Sequence, residues 1–98
     1  MATFIATIRF TEQGLKGIRD TTKRAAAFKA AAKKMGVKVT NVFWTLGAFD
    51  GLLILDAPDD ETATAAVLQL GACGNVQTTT ARAFDSTEME KVVALLPK

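Results

Sequence analysis

Apolar and polar residues alternate from the start of the chain. Ala2, Phe4, Ala6, Ile8 and Phe10 interleave with Thr3, Ile5, Thr7 and Arg9, a period of two that predicts a strand with one face firmly buried. Thr11 and Glu12 then open a polar stretch in which Gly14 and Gly17 weaken helix formation. An alanine-rich helix is predicted from about Asp20 to Met35, stopped by Gly36. At about 100° per residue, Ile18, Ala25, Phe28, Ala32 and Met35 share one stripe, and Lys16, Arg19, Lys23, Lys29, Lys33 and Lys34 fill the remaining arc as a solvated face. Alanine at 25 and 32 keeps the helix thin where it meets a sheet.

Residues 37–46 are β-branched and aromatic, and Gly47-Ala48-Phe49-Asp50-Gly51 leads from them into Leu52-Leu53-Ile54-Leu55, the pattern of a β-hairpin. The second of these strands is apolar at every position, so both of its faces need cover. After Pro58, Asp59, Asp60 and Glu61 place carboxylates at a helix start, where they complement the dipole. Ala63, Ala66, Val67 and Leu70 recur as a core-facing stripe, and Gly71 and Gly74 bracket its end. Residues 75–84 read as a threonine-rich strand. Asp85-Ser86-Thr87-Glu88 has the form of a capping box for a last short helix, whose Met89, Val92, Val93 and Leu96 repeat the core-facing stripe.

The order β-α-β-β-α-β with an added C-terminal helix is the ferredoxin-like pattern of an α+β domain, a single domain over residues 1–98. Right-handed crossovers place strands one and three at the centre of a four-stranded antiparallel sheet, with the first two helices on one face. Ile5, Thr7 and half of the third strand are left on the other face. A contiguous apolar surface of that kind marks an interaction site, and stacking against the sheet of a second copy is the simplest cover.

Composition narrows the chemistry. The chain has no histidine and no tyrosine, which removes the commonest general acid/base and metal ligand. One cysteine, Cys73, cannot form an intrachain disulfide, and neither a leader pattern nor a long apolar run is present, so a cytoplasmic protein without membrane insertion is expected. Residues 1–49 hold nine Lys/Arg against two acids (net +7), and residues 50–98 three against eight (net −5). Nucleic acid is not expected as a partner: no aromatics interleave with the basic residues, and the third strand offers leucine and isoleucine where RNA-binding sheets present stacking rings.

Few residues remain for chemistry. Asp50, close in the hairpin to Trp44 and Phe49, either accepts backbone hydrogen bonds within its own turn or presents a carboxylate at the mouth of a cavity. Trp44 suits a core or interface anchor better than a stacking platform. Arg9 and Arg82 lie on strands that neighbour each other, so they are expected to approach one another and to need an acid such as Asp56, a partner subunit's acid, or a bound anion. Cys73 sits at a helix C-terminus, where the dipole disfavours a thiolate, and reads as a small hydrophobe. No metal or cofactor motif and no phosphate-cradling glycine loop is present.

Phe43-Trp44-Thr45-Leu46-Gly47-Ala48-Phe49-Asp50, followed by Ala57-Pro58-Asp59-Asp60-Glu61, Gly74-Asn75-Val76 and Arg82-Ala83-Phe84, resembles the GYD family of small bacterial and archaeal proteins, as do Phe10-Thr11 and Arg24-Ala25. Phe49 stands at the family's tyrosine position, so no role needing a phenolic hydroxyl carries over. The resemblance implies an oligomerising ferredoxin-like fold of the dimeric α+β barrel kind and no assigned activity. The leading expectation is a homo-oligomeric small-molecule-binding or accessory module, taking a small-molecule or anionic ligand at Trp44, Phe49, Asp50, Arg9 and Arg82. The alternative is a cofactor-independent enzyme of monooxygenase or isomerase type, with a pocket near Asp50, Trp44 and Arg82.

Overall fold

The computed structural model describes residues 1–98. Its elements are β1 (Ala2–Phe10), α1 (Glu12–Lys16), α2 (Thr21–Lys34), β2 (Lys38–Trp44), β3 (Gly51–Ala57), α3 (Asp60–Ala72), β4 (Val76–Ala83) and α4 (Ser86–Val93). A single 3₁₀ turn, Ile18–Asp20, joins α1 to α2. The four strands form one antiparallel sheet in the order β2-β3-β1-β4, with β1 and β3 central as the hydrophobic pattern predicts.

Period-two alternation sorts the two faces. Phe4, Ala6 and Ile8 of β1 and Leu53, Leu55 and Ala57 of β3 turn inward under α2 and α3, and all are buried. From the helices, Phe28 and Ala32 of α2 and Ala63, Ala66 and Val67 of α3 complete the core. The small alanines bring the helix backbones close to the sheet. On β2, Val39 pairs with Leu55 and Val42 with Leu53, two positions that share a face only because the strand carries a bulge between Val39 and Asn41. The extra residue, Thr40, donates its hydroxyl to the Ile54 carbonyl at 3.1 Å.

The polar stretch after β1 is a helix despite its glycines. Thr11 caps α1, its hydroxyl accepting from the Gly14 amide at 3.1 Å and donating to the Gly74 carbonyl at 2.5 Å. Gly14 is buried because its backbone lies against the Asn75 carbonyl, where a Cβ would collide. Tertiary contact here overrides low helix propensity.

The third strand is covered by the chain on one face only, as the two-layer order implies: Leu52, Ile54 and Asp56 point to the side opposite the helices, where they are half-buried and no helix lies over them. One expectation about packing needs correction. The stripe on α4 does not reach the core. Met89, Val92, Val93 and Leu96 are exposed, and α4 is tied to the body only through its first turn. There Asp85 and Glu88 make the reciprocal capping box, and Arg82 of β4 donates to Glu88 Oε2 at 2.8 Å.

That guanidinium, with help from the Asp85 amide, holds the Glu88 carboxyl below its ordinary 4.5. Because the folded value is depressed, the anchor is intact above the ordinary value and is lost as pH falls through the lower, folded one. The first turn of α4 is therefore expected to loosen only in acid below the usual glutamate range. A carboxyl NMR titration checks this: Arg82→Ala returns the Glu88 midpoint toward 4.5, and an unchanged midpoint would remove the anchor from the account.

Candidate functional site

A cavity of about 300 Å³ lies between the helices and the β2–β3–β1 part of the sheet, at the end where β1 finishes and β3 begins. Ala25, Phe28 and Ala31 of α2 form one wall, Val42 and Trp44 of β2 with Leu53 of β3 another, and Leu70 of α3 closes the far side. Most of the lining is hydrocarbon. Small side chains on α2 leave the space open: Ala25, Ala27 and Ala31 line it where larger residues would fill it.

Polar groups of Thr21, Arg24, Trp44 and Asp50 reach this space from α2 and the sheet, and Gln69, Cys73 and Asn75 border it from the α3–β4 side. Trp44 faces the helices because its partner across the ladder is Gly51, which leaves room for the indole, and its Nε1 donates to Thr21 Oγ1 at 3.0 Å. Arg24 lies on the wall, but its guanidinium is occupied, donating to the carbonyls of Gly17 at 2.5 Å and Gly14 at 3.1 Å. Asp50 extends the β1–β3 ladder by one step: its amide donates to the Ile8 carbonyl at 2.7 Å and its Oδ2 accepts from the Phe10 amide at 2.9 Å. The second carboxylate oxygen has no protein partner. The carboxylate thus bonds to a neighbouring strand, where the turn reading expects amides of its own turn.

The five residues singled out in the sequence do not converge. Trp44 and Asp50 both line the cavity. Phe49 lies half-buried in the β2–β3 loop, where its carbonyl accepts from Thr45 Oγ1 at 2.6 Å, and it is not among the lining residues. Arg9 and Arg82 do not approach each other. Arg9 pairs with Gln77 and Arg82 with Phe4, so they stand near opposite ends of the β1–β4 ladder and on opposite faces. Arg9, on the open face, donates to the Ala48 carbonyl at 2.8 Å. Arg82, on the helix face, reaches the carbonyls of Thr3 and Ala83, pairs with Glu88, and stacks over the Phe84 ring at 4.5 Å. Its acid partner is Glu88 and not Asp56, which accepts instead from Thr3 at 2.9 Å. A catalytic trio of Asp50, Trp44 and Arg82 is therefore not assembled, and no anion site is shared by the two arginines.

Thr21, Arg24 and the alanines of α2 escaped the sequence reading because nothing in a helical stripe marks which small residues border a void. Cys73 is exposed and borders the cavity mouth, its thiol donating to the Gln69 carbonyl at 3.5 Å, so it is not a packed hydrophobe. No group of three or more potential metal ligands is assembled, and no helix is long and apolar enough to cross a membrane.

The GYD domain family model matches residues 4–93, every element from β1 to α4. The chain belongs to the GYD domain family. No curated protein matches it significantly. Among solved structures, this GYD domain is similar to MtbAldR, with a TM-score of 0.67 and 17% identity over 87% of the chain. It spans only 54% of the length of MtbAldR. It is also similar to TTHA0845 from Thermus thermophilus, with a TM-score of 0.58 and 23% identity, covering 88% of this chain and 96% of that one. At these identities the likeness is one of fold.

Proposed function

We propose that this GYD domain is a small-molecule-binding module that works as a homo-oligomer, its ligand held in the cavity under α2. The observation that carries the reading is the cavity itself: about 300 Å³ of largely apolar space with one carboxylate oxygen of Asp50 unpartnered on its wall. Ligand sites typically enclose about 300–1,000 Å³ of apolar wall with a few placed polar groups. The space opens to solvent, so an apolar ligand seated in it removes exposed hydrocarbon from water. The lining selects an apolar, flat body of modest size. Asp50 selects a hydrogen-bond donor or a cation at one end, since an ionised carboxylate only accepts. Arg24, the one cation on the wall, gives two of its N–H groups to the Gly17 and Gly14 carbonyls and has no acidic partner.

The oligomer is supported by area. A folded chain of 10.4 kDa is expected to expose roughly 5,400 Å², and this one exposes 6765 Å². The uncovered sheet face carries Ile5, Leu52, Ile54 and Phe43 side by side. Stacking it on a second copy in the manner of a dimeric α+β barrel buries these residues. An exposed lone thiol at Cys73 suits a reducing compartment such as the cytoplasm.

Trp44, the only tryptophan, reports directly on the cavity. Benzylamine is expected to shift its emission saturably, and toluene more weakly for want of the donor. Ala31→Phe, which fills the space, should abolish the response, and Asp50→Asn should erase the preference for the amine. Identical emission with and without probe, in a wild-type protein that also carries no co-purified molecule by native mass spectrometry, would overturn the reading.

A further inference from the structure

The molecule is longer than its sheet allows. Nine residues of β1 extend about 30 Å, and α2 with fourteen residues about 21 Å, yet the longest dimension is 54 Å. The radius of gyration is 14.9 Å where roughly 12.6 Å is expected for this length. An element must project beyond the two-layer body. The β2–β3 loop, with Leu46 fully exposed, extends one end, and α4 is the helix left outside the body, its residues exposed along its whole length except for the anchoring Glu88.

The projecting arm is not polar. Met89, Val92, Val93 and Leu96 lie along one side, 48%, 37%, 52% and 66% exposed, and Leu95 beside them is 84% exposed. Glu90 and Lys91 keep to the remaining arc. The arm is also built to hold a direction: the capping box, the Arg82–Glu88 pair and the stacking of Arg82 on Phe84 fix its first turn on the end of β4. A frayed terminus would need none of these.

Area identifies what the arm meets. A stable pair of proteins buries about 800 Å² on each partner. The surplus of this chain over an ordinary monomer is roughly 1,400 Å² of accessible surface, more than such an interface needs from each partner. The arm gathers five of the chain's exposed large hydrophobic residues, Met89, Val92, Val93, Leu95 and Leu96, on one element.

We infer that α4 is a dimerisation arm: the apolar side of one copy's α4 closes on the second copy at the rim of the stacked sheets, and the second copy's arm does the same in return. The inference rests on the proposed pairing through the open sheet face and adds the element that makes the pair stable. A twofold pair has one self-complementary interface, so the arm contact occurs twice in it, once from each copy.

Sedimentation of the full chain at graded micromolar concentrations, with two kinds of variant, tests this. Val93→Glu/Leu96→Glu alters only exposed positions and so leaves the fold intact. It is expected to raise the dimer dissociation constant by about 100-fold or more. Ile54→Glu on the sheet face is expected to give monomers. Hydrogen exchange supplies a second readout: amides of residues 89–96 should be protected in wild-type dimers and exchange freely in the Ile54→Glu monomer. A wild type that is monomeric throughout overturns the pairing and the arm together. A wild-type dimer with the same dissociation constant in the arm variant, and equal exchange of residues 89–96 in dimer and monomer, overturns the arm alone.

Discussion

Leu55→Ala is expected to cost about 2–5 kcal/mol of stability, the range for removing a fully buried leucine and leaving part of its volume empty. Leu55 is 0% exposed and sits where the core is thickest. It pairs with Phe4 on one side and Val39 on the other, beneath the close-packed alanines of α2 and α3. Its neighbours are strands on both flanks, and backbone ladders move little to close a gap. For a domain near 100 residues, each kcal/mol lowers Tm by about 4–8 °C, so a fall of roughly 10–30 °C is expected in a thermal scan at fixed protein concentration. Leu68→Ala, at a position 68% exposed, is the comparison and should stay within about 0.5 kcal/mol. Equal effects of the two would mean that the core is not organised around β3.

Gly14→Ala is expected to destabilise, against the usual sign for a helix. In an open helix the added methyl gains up to about 1 kcal/mol. At Gly14 it meets the Asn75 carbonyl, and neither backbone can yield, since the Thr11 amide donates to that same carbonyl at 3.1 Å and the Thr11 hydroxyl to its neighbour Gly74. Overpacking of this kind costs about 1–3 kcal/mol, and the contact between α1 and the α3–β4 turn should open. Gly71→Ala in α3, where a Cβ meets nothing, should stabilise by about 0.4–1 kcal/mol. Opposite signs for the two in urea unfolding are the expected result, and equal signs would mean that α1 does not press on the turn.

These two sites also mark where sequence pattern informs and where it stops. Leu55 is legible because alternation in β3 and the stripes of α2 and α3 are imposed by the core they share. Gly14 is not, because the residue that decides its conformation, Asn75, is distant in the chain. Arg82 shows the same limit: alternation in β1 puts Arg9 on the face opposite Phe4, but the threonine-rich pattern of β4 does not say which face Arg82 takes. The α4 stripe marks an amphipathic helix without saying which surface it meets. The cavity is hardest to foresee. Alanine reads as tight packing in one dimension, and nothing in the helical stripe separates Ala32, which is buried in the core, from Ala31, which borders the cavity.

The strand order has a kinetic consequence. β1 is synthesised first and lies at the centre of the sheet, and its β4 partner, through pairs such as Thr3 with Ala83, comes nearly at the end of the chain. At about 5–20 residues per second, the intervening chain takes roughly 4–16 s to emerge from a ribosome. Through that interval Phe4 and Ile8 have at most β3 beside them. Such distant pairing slows closure relative to helical domains, because the loop entropy is lost before the contacts repay it. The first strand made is the last to be completed, and the half-built sheet presents an open β1 edge on which other chains can pair.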